Sequence, residues 1–205
     1  MPKNGHLGRA NELAGIGGNM RVLLTSAGLE TEEIKECFIN MAAKKMSLVK
    51  ALLIPTAAID ADAIAVLPKC MNDLIKCGIP SENIRVYDLH AGMETLKLQQ
   101  YDVVYLCGGN TRYLLERINA TKFNRTLMEY IHNNGLVIGV SAGSLIFSNN
   151  LRDNLGLIDT KLDVHCEAGE KIGRLHHPLK DHVQLTNTCA LLIRNLPDDL
   201  EIIGE

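Results

Sequence analysis

The sequence predicts an α/β fold: a doubly wound, mostly parallel sheet sandwiched by helices, with a C-terminal hairpin. Three observations carry this reading. Short apolar runs recur along the 205-residue chain without polar alternation, as expected of strands buried on both faces. The segments between them place apolar residues three or four positions apart, the spacing of an amphipathic helix. The last two apolar runs flank Leu196-Pro197-Asp198-Asp199 and read as a hairpin.

Taken in order, residues 20–25 (MRVLLT) form the first expected strand. A helix follows over 31–45, where Ile34, Phe38 and Met41 share a face. Residues 50–57 (KALLIPTA) give a second strand, ended by Pro55. A helix over 61–77 is expected to be interrupted or entered at Pro68 and to close at Gly78. Strands are expected over 83–89 and 101–109, helices over 111–118 and 123–133, and a fifth strand over 135–143. A further helix begins at Ala142. Beyond it the pattern is choppier, with strand-like runs at 155–165, 182–187, 190–195 and 200–204. Residues 1–19 are rich in Gly and Asn and lack periodicity, so they read as a flexible leader before a single domain over 20–205.

Composition narrows the function. Hydrophobic residues make up 46% of the chain, enough for a sizeable core. The formal net charge is -3, with 21 Lys and Arg scattered among 24 acids, which argues against a nucleic-acid partner. No apolar run reaches the roughly 18 residues that a bilayer-crossing helix needs, and no signal peptide is visible, so a cytoplasmic location is expected. The six cysteines (Cys37, Cys70, Cys77, Cys107, Cys166 and Cys189) include no CxxC pair. They are expected to be reduced thiols serving as small core residues, not a metal site.

In doubly wound sheets the ligand site lies beyond the carboxyl ends of the strands. Two strand ends stand out there. Gly139-Val140-Ser141-Ala142-Gly143 matches G-x-S-x-G at a strand-to-helix turn. Such a turn is tight enough to strain the serine backbone, needs small neighbours, and pushes the hydroxyl clear of the sheet. Cys107-Gly108-Gly109-Asn110-Thr111 ends the preceding strand, where glycine lets backbone N–H groups approach a carbonyl. The N–H groups of Gly109 and Ala142 are therefore the candidate oxyanion hole. Serine needs a base. Of the seven histidines, His165 leads by position, 24 residues beyond Ser141, and His176 and His177 come next.

YLCGGNTRYLL, then GVSAGS, then LGLIDTKLDVH together resemble the dipeptidase E and cyanophycinase family of serine peptidases. The resemblance extends from Met20 to the C-terminus and is sharpest between Tyr105 and His165. It implies a fold like the class I glutamine amidotransferases, with Ser141 where those enzymes carry a cysteine. It further implies Ser141 as nucleophile, His165 as general base, and an oxyanion hole at Gly109 and Ala142. The implied activity is hydrolysis of peptide bonds in small, Asp-containing peptides, with no metal or organic cofactor. In relatives an acid orients the histidine. Here Asp153, Asp159 and Asp163 lie between Ser141 and His165, and Asp153 is the first choice. The late segment Leu185-Thr186-Asn187-Thr188-Cys189-Ala190 offers no carboxylate, although Asn187 or a water could accept the imidazole N–H. Asn110 and Arg174 are candidate substrate-binding residues, with Arg112 as another arginine able to hold a carboxylate. The expected partner is a small peptide, and a homodimer is allowed for.

Three other readings compete. A catalytically impaired relative would bind a small molecule or partner without turning it over, which the missing carboxylate favours. An α/β-hydrolase acting on esters shares G-x-S-x-G but places its histidine near the C-terminus. A glutamine amidotransferase would need a thiol in the elbow, where this chain has Ser141.

Overall fold

Apolar runs that show no alternation become strands covered on both faces. The computed structural model describes residues 19–205. Apart from Asn19, the leader expected over 1–19 lies outside the described residues. Strands β1 (Arg21–Thr25), β2 (Ala51–Ile54), β3 (Ile84–Val86), β4 (Val103–Leu106) and β5 (Leu136–Val140) lie in the order β3-β2-β4-β5-β1, all parallel. The later strands are β6 (Lys161–Asp163), β7 (Gly173–Leu175), β8 (His182–Gln184), β9 (Cys189–Asn195) and β10 (Asp199–Gly204). β9, β10 and β7 extend the same sheet beyond β1, each antiparallel to its neighbour. β6 and β8 form a separate parallel pair.

Alternate side chains of each strand feed two cores. Leu23, Leu53, Tyr105 and Ile138 face α1 (Glu32–Ala42) and α2 (Ala61–Lys76), which contribute Ile34, Phe38, Cys70 and Leu74. Leu24, Ile54, Leu106 and Val137 face the opposite layer. That layer is built from α3 (Thr95–Leu98), α4 (Thr111–Ala120), α5 (Phe123–His132) and α6 (Ala142–Leu145). The doubly wound sandwich expected from the sequence is therefore present, with an antiparallel edge that contains the expected hairpin of β9 and β10.

Local chemistry sets the helix ends. The side chains of Thr31, Asp60 and Asn110 accept from the N–H groups of Ile34, Ala63 and Tyr113, starting α1, α2 and α4. Gly78, at φ 94, ends α2 as expected. Pro68 does not interrupt that helix, which runs through it. Pro68 is exposed, so water can serve the carbonyl it leaves unbonded, while Leu74 and Cys70 hold the inner face. The strand expected over 155–165 shrinks to β6, and the helix after Ala142 to the single turn α6. Six free cysteines are present, four of them buried, in line with their reading as core thiols. Among the described residues no helix is long and apolar enough to cross a membrane.

Phe38 is fully buried between α1 and the sheet. Phe38→Ala is expected to destabilise the fold by about 3–5 kcal/mol, measured by urea unfolding.

Candidate active site

The carboxyl ends of β4, β5 and β1 are neighbours, and each supplies part of one cleft. β5 ends in Ser141, held at φ 48 and ψ -111. A non-glycine residue at this positive φ carries strain of about 1–3 kcal/mol and persists only where its surroundings hold it. Here the Ser141 N–H donates to the Thr25 carbonyl of β1 at 3.0 Å. The Ser141 carbonyl accepts from the N–H groups of Ser144 and Leu145 at 2.8 and 3.0 Å. The glycines on either side are steric requirements. A Cβ on Gly139 would lie 2.5 Å from the Gly143 carbonyl oxygen, and a Cβ on Gly143 would lie 2.3 Å from that of Leu106. Backbone packs directly on backbone across the elbow, and this tilts the hydroxyl into the cleft.

β4 supplies Gly108 and Gly109. A Cβ on Gly108 would come within 3.2 Å of the Ser141 Cβ, and Gly109 adopts φ 135 with Ala57 backbone packed against it. Among the backbone hydrogen bonds of the described residues, the Gly109 N–H has no acceptor. Asn110 caps α4, its Oδ1 accepting from the Tyr113 N–H at 2.9 Å.

The imidazole beside Ser141 arrives from the small parallel sheet. β6 and β8 leave their pairing at the same edge, so the residues just beyond them converge. His165 follows β6, and Asn187 follows β8. His165 Nε2 lies 2.9 Å from Ser141 Oγ, and its Nδ1 lies 2.7 Å from Asn187 Oδ1. His165 itself sits at φ 59. Its backbone N–H donates to Ser26 Oγ at 2.7 Å, and the Ser26 hydroxyl donates to Asn187 Oδ1 at 3.2 Å. Ser26 follows β1 and is fully buried.

This arrangement corrects two expectations. Asp153 does not orient His165. It lies on the loop beside α4, where its carbonyl accepts from Asn119 Nδ2, and it lines a separate groove of about 900 Å³ together with Arg112. Asn187, which the sequence offered as a substitute acceptor, takes the position opposite Nδ1. Arg174 does not line the cleft either. It lies on β7, opposite Glu201 of β10. In the order β1-β9-β10-β7, that is three strand spacings, about 14 Å, from β1. Ser26 was not foreseen, because a serine after a strand is too common a signal to single out.

The cleft holding Ser141 and His165 encloses about 480 Å³ and is also lined by Glu30, Asp60, Asp62 and Lys69. Cys107 stands at its back. The neighbouring Cys70 thiol, together with burial, pushes the Cys107 thiol far above its ordinary range, which disfavours its thiolate. Among the described residues no group of three or more His, Cys, Asp or Glu is placed to hold a metal ion.

Residues 22–188 match peptidase family S51. The chain belongs to that family. An uncharacterized peptidase of Listeria monocytogenes is 32% identical over 98 residues, 48% of this chain and 48% of the relative. One of Listeria innocua is 31% identical over 103 residues, 48% of this chain and 47% of the relative. These matches thus span about half the length of the curated relatives. A Listeria monocytogenes EGD-e structure named for peptidase E superposes with a TM-score of 0.64 at 21% identity, covering 91% of this chain and 99% of that one. A peptidase from an acI-B1 actinobacterium gives a TM-score of 0.63 at 16% identity, covering 92% of this chain and 89% of that one. The fold of this S51 member is that of these peptidases, in agreement with the sequence resemblance.

Gly143→Ala is expected to force the elbow off the Leu106 carbonyl. The expected loss is about 1–3 kcal/mol of stability by urea unfolding, with a parallel loss of Ser141 reactivity towards a fluorophosphonate.

Proposed function

We propose that this S51 member hydrolyses small peptides through a Ser141–His165–Asn187 triad. The observation that carries the reading is the 2.9 Å approach of His165 Nε2 to the hydroxyl of a serine held at positive φ. In the proposed reaction Ser141 Oγ attacks the scissile carbonyl while His165 Nε2 takes its proton. The oxyanion is received by the N–H groups of Gly109 and Ala142, which flank the nucleophile. The imidazolium then protonates the leaving amine, and water attacks the acyl-enzyme with His165 again acting as base. Asn187 orients the ring by accepting its Nδ1–H, a role an amide oxygen also plays in cysteine proteases. None of these steps calls for a metal or organic cofactor.

The family resemblance implies Asp-containing substrates, but the charges of the cleft give that preference little support. Its lining cation is Lys69, whose Nζ already lies 2.7 Å from Glu30 and 2.8 Å from the Ala27 carbonyl. Asp60 and Asp62 add negative charge. This balance favours peptides that present a cation, such as a free amino terminus, over peptides that present a second carboxylate.

A fluorophosphonate is expected to label the wild type at Ser141 and to leave Ser141→Ala and His165→Ala unlabelled. Hydrolysis of dipeptide amides should fall by about 10³-fold or more in both variants. Equal rates in wild type and Ser141→Ala would remove the serine from the mechanism. A wild type that neither labels nor hydrolyses would favour a binding module. Comparing Asp-, Ala- and Lys-containing amides tests the charge argument, with the Asp-containing peptide expected to be no better than the others.

A further inference from the structure

This inference rests on the triad reading. An imidazole accepts the Ser141 proton through Nε2 only when its own proton sits on Nδ1. A carboxylate enforces that tautomer, because both its oxygens accept and neither donates. Asn187 does not enforce it by its own chemistry. Turned over, the amide would present Nδ2 to the ring and donate to Nδ1. The ring proton would then sit on Nε2, and Ser141 would face a donor. A triad built on asparagine needs a second group that tells the amide which way round to stand.

We propose that Ser26 is this positioning residue: its hydroxyl proton fixes the orientation of the Asn187 amide and, through it, the tautomer of His165. Ser26 Oγ receives the backbone N–H of His165 at 2.7 Å, a group that can only donate. The hydroxyl has one proton of its own, and Asn187 Oδ1 lies 3.2 Å away to take it. The same Oδ1 lies 2.7 Å from His165 Nδ1. With the oxygen inward, the His165 backbone N–H, its Nδ1–H and the Ser26 hydroxyl proton all have acceptors. With the amide reversed, Nδ2 could still donate to the second lone pair of the hydroxyl, but the Ser26 proton would lose its acceptor at a fully buried position. Asn187 is exposed, so burial does not lock its amide. The two orientations differ by where the Ser26 proton can go.

The test is a double-mutant cycle with two readouts. Heteronuclear NMR reports which ring nitrogen of His165 carries the proton, and fluorophosphonate labelling reports the reactivity of Ser141. The wild type is expected to hold the Nδ1–H form. Ser26→Ala should populate the Nε2–H form and slow labelling by about tenfold or more. In the Asn187→Asp background the carboxylate has no wrong way round, so adding Ser26→Ala should leave the Nδ1–H form in place and slow labelling several-fold less than it does in the wild-type background, the remaining loss reflecting the lost His165 backbone contact. A wild-type ring protonated on Nε2 would overturn the proposal. So would equal losses in the two backgrounds, the result expected if Ser26 serves only to hold the His165 backbone. If the wild type fails to label, the hydrolase reading fails, and the ring tautomers still decide the role of Ser26.

Discussion

The last residue of β1 and the one after it hold the two halves of the site together. The Thr25 carbonyl receives the Ser141 N–H at 3.0 Å and the Ser144 hydroxyl at 2.8 Å, and the Thr25 hydroxyl donates to the Gly139 carbonyl at 2.9 Å. One buried threonine thus pins the elbow on both sides of the nucleophile. The next residue, Ser26, receives the His165 backbone and reaches Asn187. Ser141 and His165 come from distant parts of the chain, yet each is tied to one of two adjacent residues at the end of one central strand. Buried polar groups must find partners. At this strand end, the way to satisfy them is also the way to bring hydroxyl and imidazole within reach of each other.

In the proposed triad an asparagine stands where an acid would. Its amide oxygen would orient the ring through Nδ1 but bring no negative charge to an imidazolium. Stabilisation of charge would then fall more heavily on the proposed oxyanion hole, the backbone N–H groups of Gly109 and Ala142. This gives physical sense to the glycines around Ser141. Gly108, Gly139 and Gly143 let the ends of β4 and β5 and the first turn of α6 close up at contact distances that any side chain would disturb.

Much of this arrangement was legible in the sequence. The unalternating apolar runs gave the parallel sheet, and Gly139-Val140-Ser141-Ala142-Gly143 in a strand-to-helix context gave the elbow. The 24-residue separation and the family resemblance led to His165. What failed depended on pairings between short, distant segments. β6 and β8 are three residues each, too short to show periodicity, and only their parallel pairing carries His165 and Asn187 out at one edge. Asp153 had charge and proximity along the chain in its favour, but the loop after α6 turns it toward Asn119. Arg174 looked like a cleft residue only while β7 was unrecognised as an outer strand.

The segment just after Ser26 is held against α2 by a buried network. Asp73 accepts from the Leu29 N–H at 3.1 Å and from the Tyr105 hydroxyl at 2.8 Å. Burial pushes the Tyr105 phenol well above its ordinary range, so it remains a donor. Lys69, one turn earlier on the helix, holds the Ala27 carbonyl and Glu30. Gly28, at φ 96, is pressed so close to Asp73 that a Cβ would stand 2.4 Å from its carboxylate. The segment from Ala27 to Glu30, immediately after Ser26, is therefore clamped at successive points by one helix and one strand. A hydroxyl that sets the orientation of an amide must itself be held, and such preorganisation comes from the side chains that support the site. On the proposed reading Asp73 and Lys69 act through geometry, by holding the segment next to the one serine that bonds both His165 and Asn187.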